Sequence, residues 1–399
     1  DQNKNLLLAT SLSFLVLVGW MLLFPPQEIE PIQPDEANNE SSDASGFQTK
    51  TIDTSKTLNA DINETRDVQR VPIETARLSG SISLRGGRID DLKLLDYFDD
   101  QSADSNNVII LKPASENKSY YAVYGWTPVE GIKIDEVPNA NTEWALVAGR
   151  TLTEIDPITI QWKNKNGVIF QRKISIDENF MFSIEQSVLN TTNNMIKVAP
   201  YGIIARHGQP ETIGFYILHE GVVGNKDGEL IERKYKKMPD QPFIKNENGN
   251  VELDSIQQNG WVGFTDKYWM TTLIPKPGQS FRMATKYTPQ TDTFQTDMRL
   301  PSVEVFPNQE SIIRTNFFAG AKELNTIKKY EKDLGVENFV DSIDWGWFFF
   351  LTKPIASMLL YFSDLTGNVG WAIILLTLVI KTALFPLAYK SWVSMAKMK

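Results

Sequence analysis

The chain has 399 residues, 40 basic against 49 acidic side chains, a net charge of −9 and no cysteine. Its length allows a large core. The acidic balance, with no basic patch interleaved with aromatics, argues against nucleic-acid binding. The lack of cysteine excludes disulfides, thiol catalysis and zinc–thiolate sites.

Residues 6–24 form an apolar run preceded only by Lys4 and the chain start. A cleaved signal peptide needs small residues before its cleavage site. Here the run ends in Leu22-Leu23-Phe24-Pro25-Pro26, so residues 1–24 are expected to be an uncleaved transmembrane anchor. Residues 25–50 read as a linker. Between 27 and 49 it holds six acids (Glu28, Glu30, Asp35, Glu36, Glu40 and Asp43) and no base. Such a stretch cannot bury enough apolar surface to fold. Cytoplasmic flanks favour Lys and Arg, so this side is read as the outside.

From about 71 to 318 the period is two. Leu78, Ile82 and Leu84 alternate with Ser79, Ser81 and Ser83, and Gly86-Gly87 makes a turn. Ile158, Ile160 and Trp162 precede an Asn166-Gly167 hairpin signal, after which Val168, Phe170, Ile174 and Ile176 share a face. Phe180, Phe182, Ile184 and Val188 repeat it. Many short strands predict one large antiparallel all-β sandwich over 51–340 rather than βαβ units. A helix is predicted over 321–334, with a stripe of Leu324, Ile327, Tyr330 and Leu334 and a C-cap at Gly335.

Residues 345–365 are apolar enough to pass for a span. Crossing here would send the next span outward and leave Lys390, Lys397 and Lys399 outside, against the positive-inside rule. Pro354 is expected to break the run. Trp345, Trp347 and Phe348 suit the headgroup level, so 341–365 is read as an interfacial helix. Residues 366–399 hold the real span, 369–388, with Pro386 near its end. Its exception is Lys381, nine residues before Lys390. A mid-membrane lysine costs about 2.5–3.5 kcal/mol on insertion scales. It can snorkel to the headgroups or face a polar cavity and act there. The topology is N-terminus in, large domain out, C-terminus in.

The two histidines, His207 and His219, stand near Glu211 and Glu220. An acid–base or metal role is conceivable, but the spacing fits no zinc signature, and structural histidines are the favoured reading. Gly260-Trp261, Gly263 and Asp266-Lys267-Tyr268-Trp269 read as a tight turn with aromatic packing, with a sugar platform as the alternative. No Walker loop, dinucleotide fingerprint or nucleophile elbow is present. No catalytic residue, metal or cofactor is expected.

The segments VPIETARLSGSISLRGGRIDDL (71–92), RHGQPETIGFYILHEG (206–221), GWVGFTDKYWMTTLIP (260–275), FFAGAKE (317–323), DWGWFFFLTKP (344–354) and KTALFPLAYKSWVSMAKMK (381–399) resemble the YidC family of bacterial membrane protein insertases. The family is related to the mitochondrial oxidase-assembly and chloroplast thylakoid insertases. The likeness runs the length of the chain, is of the Gram-negative type, and its phrasing is alphaproteobacterial. It implies a mixed membrane protein of the inner membrane: an anchor, a periplasmic β-supersandwich, an interfacial helix and the first helix of a five-helix insertase core around a hydrated groove. It places the family's basic groove residue at Lys381, five before Pro386, where many members carry arginine. It implies further core helices beyond Lys399, no enzymatic activity, and as partners nascent inner-membrane proteins, the lipid bilayer, the Sec translocon and the ribosome. The rival reading is a membrane-tethered carbohydrate-binding or carbohydrate-modifying sandwich using His207, His219, Glu211 and Glu220.

Overall fold

The computed structural model describes residues 68–99, 105–210 and 219–397. The expected anchor and linker, and Glu211, lie outside the described residues.

The chain weaves between two antiparallel sheets. It begins in the first with β1 (Arg70–Glu74), β2 (Leu78–Ser83), β3 (Arg88–Phe98), β4 (Asn107–Leu111) and β5 (Tyr120–Glu130). It builds much of the second with β6 (Ala145–Ala148), β7 (Ile158–Lys163), β8 (Val168–Ile176) and β9 (Met181–Asn190), and returns to the first with β10 (Ile196–His207). β11 (Gly221–Lys226) and β12 (Glu229–Lys234) join the second sheet, β13 (Phe243–Ile244) and β14 (Gly249–Ile256) the first. β15 (Gly260–Thr265) and β16 (Trp269–Pro275) go to the second sheet, β17 (Phe281–Thr288), β18 (Thr293–Arg299) and β19 (Val303–Val305) to the first, and β20 (Glu310–Ala321) closes the second. The expected sandwich is therefore present.

Alternation explains the core. Along β8, Val168, Phe170, Arg172, Ile174 and Ile176 all point inward and are buried. With Trp126, Trp261, Phe182, Phe264 and Phe281 they fill the space between the sheets. Arg172 is the polar member of that row. It donates to the carbonyls of Gly87, at 2.6 Å, and Tyr124, and its guanidinium lies 4.9 Å from the Trp144 ring centroid. Gln186 donates to the Gly125 carbonyl at 3.0 Å. Both side chains stitch the second sheet to the first. Glycine is favoured at Gly87: its φ is 59°, and a Cβ would stand 2.6 Å from the Arg172 Nη1, which would have to shift.

The β7–β8 connection is four residues long, not a two-residue turn. Asn164 Oδ1 accepts from the backbone N–H of Asn166 and Val168, and Gly167 takes φ 101°. Helix α1 is Leu324–Leu334, three residues shorter at its start than expected, because Ala321 is still paired with Trp269 in the β20–β16 ladder. Thr326, Ile327 and Tyr330 form its buried face, while Leu334 is exposed. Gly335 caps it in the left-handed conformation.

Two helices follow, α2 (Phe349–Thr366) and α3 (Val369–Ala396). Pro354 does not break α2. It sits in the second turn, where its missing N–H frees one carbonyl and the helix runs on. Likewise α3 continues through Pro386 to Ala396. The joint is two residues, and it is hydrogen-bonded: the Gly367 N–H donates to Ser363 O, and Asn368 Oδ1 accepts from Gly370 and Trp371. Among the described residues α3 is the one helix long and apolar enough to cross a membrane.

Candidate functional site: a charged transmembrane helix and its clasp

At 3.6 residues per turn Lys381 sits about 180° round α3 from Ala372 and about 140° from Leu376. Those two are the buried residues of α3, where it packs on α2. Lys381 therefore faces away from α2, one turn beyond Thr377, and is exposed. It has no hydrogen bond or ion pair among the described residues. Around it Leu378, Leu384, Phe385 and Leu387 are also exposed. One cation stands on an otherwise apolar, unburied surface.

The three aromatics expected at the membrane interface, Trp345, Trp347 and Phe348, divide. Trp347 is 76% exposed and Phe348 61%, and they continue into Phe349, Phe350 and Leu351. Trp345 is half-buried: its Nε1–H donates to the Val340 carbonyl at 2.9 Å. It belongs to a clasp between the β domain and α2. Lys353 pairs with Asp341 and lies 5.9 Å from the Trp345 and Phe349 ring centroids. Thr352 Oγ1 donates to Trp345 O at 2.9 Å, and Lys328 Nζ to Ser357 Oγ at 3.0 Å. Asp344 accepts from the backbone N–H groups of His219 and Gly346, both at 2.8 Å. A cavity of about 450 Å³ lies at this junction, lined among others by His219, Glu232, Lys234 and Trp347.

The histidines do not meet. His219 Nε2 is 2.7 Å from Val222 O at that junction. His207 stacks on Tyr121 and contacts the Tyr121 hydroxyl and Thr293 Oγ1, both at 3.2 Å. Burial pushes its imidazole below the ordinary value, against the opposing charge of Asp292. Among the described residues no cluster of three metal-ligating groups occurs. Trp261 is core: fully buried, it donates to Glu337 O at 3.1 Å and meets Phe339 edge-on.

Sequence reasoning missed a second cavity of about 350 Å³ in the β domain, walled by Lys112, Lys118, Arg206, His207, Asp266 and Trp269 among others. Arg206 Nη1 donates to Asp266 Oδ2 at 2.8 Å and to the Tyr235 hydroxyl at 2.9 Å. Between the two cavities lies Lys322, whose Nζ donates to Thr265 Oγ1 at 2.9 Å. Burial pushes its ammonium down to about 8, opposed by the charges of Asp266, Asp344, Glu220 and Glu232.

A two-sheet sandwich clasped to an apolar helix with a bare cation in mid-length, Lys381, defines a membrane protein with a folded extramembrane domain. The family model of the YidC periplasmic domain matches residues 70–358. A membrane protein insertase YidC from Dinoroseobacter shibae is 49% identical over all of this chain and 67% of its own length. One from Cereibacter sphaeroides is 46% identical over all of this chain and 65% of its own. The chain belongs to the YidC family. It spans about two thirds of the length of these relatives. A galactose mutarotase related enzyme from Lactobacillus acidophilus aligns with 63% of this chain and 97% of its own, at a TM-score of 0.44 and 11% identity, a likeness too remote to bear on activity.

Proposed function

We propose that the chain belongs to an inner-membrane insertase in which α3 crosses the membrane, the β domain stands in the periplasm, and Lys381 presents a fixed positive charge to nascent membrane proteins in a hydrated groove. The observation that carries this is the bare ammonium of Lys381 on the face of α3 turned from α2. Family membership supports it. Burying a client's apolar segment in lipid yields about 0.8 kcal/mol per CH₂, so no nucleotide is needed. The obstacle is the polar flank that must cross, and a charge in water-filled space gives acidic residues a station on the way. Membrane potential contributes about 2.3 kcal/mol per charge per 100 mV, its sign set by the charge. Trp347 and Phe348 at the start of α2 settle at the outer headgroups, with Trp345 turned back into the clasp. The family resemblance supports the Sec translocon and the ribosome as partners.

The test is insertion of a client series with zero to three acids in the translocated tail, at equal expression. Lys381→Arg retains insertion, since guanidinium stays cationic. Lys381→Leu keeps the helix in the membrane, relieved of a ~3 kcal/mol penalty, but slows clients in proportion to their acids. Equal rates for Leu and Lys across the series would reduce Lys381 to a snorkelling residue.

A further inference from the structure

The cavity at the clasp holds two charges that the fold leaves unused. Leu230, Glu232 and Lys234 alternate along β12, at the end of the second sheet, and line the cavity together. Glu232 and Lys234 are exposed and stand about 7 Å apart along one strand face. Neither makes a side-chain hydrogen bond or ion pair among the described residues, with the other or with a third group. Glu232 bears on the buried Lys322 through its charge alone, since the Lys322 Nζ is held by Thr265.

The remaining charges of the wall are committed. Lys353 is paired with Asp341. Asp344 accepts from the backbone N–H groups of His219 and Gly346, and a carboxylate so engaged keeps acceptor sites to spare. The rest of the wall is aromatic: Trp345, Trp347 and Phe349 line the same space, the last two exposed. Aromatic faces attract an organic ammonium. One part of the cavity thus offers acceptors and rings to a cation, and Lys234 offers a cation to an anion. A simple anion would face Glu232 and Asp344, and a simple cation would face Lys234. The complement of both is a small zwitterion. The exposed apolar run 347–351 continues from the cavity rim, and the reading above sets that run at the outer headgroups. The zwitterion available at that level is a phospholipid headgroup.

We propose that the clasp cavity binds one phosphatidylethanolamine headgroup of the outer leaflet, with its ammonium among Glu232, Asp344 and the aromatic rings, its phosphate on Lys234, and its acyl chains leaving past Trp347 and Phe349. This rests on the interfacial placement of α2. Ethanolamine is favoured over choline because Glu232 and Asp344 accept N–H hydrogen bonds that a quaternary nitrogen cannot donate. A lipid so held joins β12 to the start of α2 beside the Lys353–Asp341 pair.

The test uses the whole chain, which has no cysteine, with a single cysteine placed at Leu351, exposed and outside the cavity wall, and labelled with bimane. It is held in phosphatidylcholine nanodiscs doped with phospholipids that carry a quenching nitroxide on the acyl chain and an unmodified ethanolamine, choline or glycerol headgroup. The ethanolamine lipid reaches half-quenching at about a tenth of the mole fraction that the glycerol lipid needs, the size expected of two partly exposed ion pairs, and the choline lipid falls between. Glu232→Gln with Lys234→Gln brings the three lipids together. Glu232→Lys turns the preference toward the glycerol lipid, whose phosphate then meets two ammonium groups. Both positions are exposed on an edge strand, and an unchanged melting midpoint confirms that the variants are folded. Equal quenching by the ethanolamine lipid and either of the others in the wild type, or a preference that survives the double substitution, overturns the proposal and leaves α2 at the interface. Absence of quenching by all three lipids overturns the placement of α2 and the proposal with it. Lys381→Leu leaves the preference unchanged. If client insertion ignores the charge at Lys381 while the ethanolamine preference stands, the groove reading fails alone.

Discussion

Glu323, at the junction of β20 and α1, is a carboxylate whose protonation bears on the stability of this fold. Burial pushes its carboxyl up, but hydrogen bonds from Arg77, Tyr97 and Thr326 outweigh that and hold it at about 2. The Arg77 contact is bidentate, with distances of 2.5 and 3.1 Å. A carboxyl whose folded value lies below its unfolded 4.5 contributes stability that is complete above pH 4.5 and lost as pH falls toward 2. The contribution is about 2–3 kcal/mol. Melting curves from pH 6 to pH 2.5 should therefore fall steeply in the wild type below 4.5, and less steeply in Glu323→Gln, which starts lower. Parallel curves would remove the role. Arg172 teaches a different lesson about reading residues. Its place between Phe170 and Ile174 at period two obliged it to point inward, yet the pattern was read through its apolar neighbours alone. Burial without a carboxylate partner pushes it down to about 10. The second cavity had no such local signal: Lys112, Arg206 and Asp266 are far apart in sequence and meet only because the β4–β5 hairpin, β10 and the β15–β16 turn converge.

At the scale of elements, periodicity located what local physics decides and failed where tertiary pairing intervened. Strand alternation, the Gly335 cap and the apolar α3 were all legible. The start of α1 was not, because the ladder with β16 claims Ala321 against its helical propensity. Pro354 does not end α2: in the second turn it removes one backbone hydrogen bond, and the helix runs on to Thr366. For α2, interfacial placement predicts that cysteines at Trp347 and Ser357 both react from the periplasmic side with impermeant thiol reagents in oriented membranes. Trp347 is open, and Ser357 is exposed although Lys328 donates to it. Labelling of either position from the cytoplasmic side alone would place α2 through the membrane instead.

For the molecule as a whole, the β domain ends later than its last strand. Val336 and Phe339 lie beyond α1 and are fully in the core, Phe339 against both Trp261 and Phe318. Phe339→Ala should destabilise the domain by about 3–5 kcal/mol, seen as a lower denaturant midpoint with an unchanged slope. A loss under 1 kcal/mol would mean that this segment closes over the core without supporting it. A fragment cut at Gly335 should suffer at least as much, whereas one running through Ile343 keeps these contacts.

The two-residue joint at Gly367-Asn368 makes a lever of the whole assembly. At 28 residues α3 is about 42 Å long, against a hydrocarbon layer of about 30 Å. Any such rod leans or protrudes according to the thickness of the layer around it. If α3 crosses as proposed, the capped joint gives that lean little slack, and the ion pair of Lys353 with Asp341 ties α2 to the β domain, so a change in the lean of α3 is expected to reach the β domain through α2.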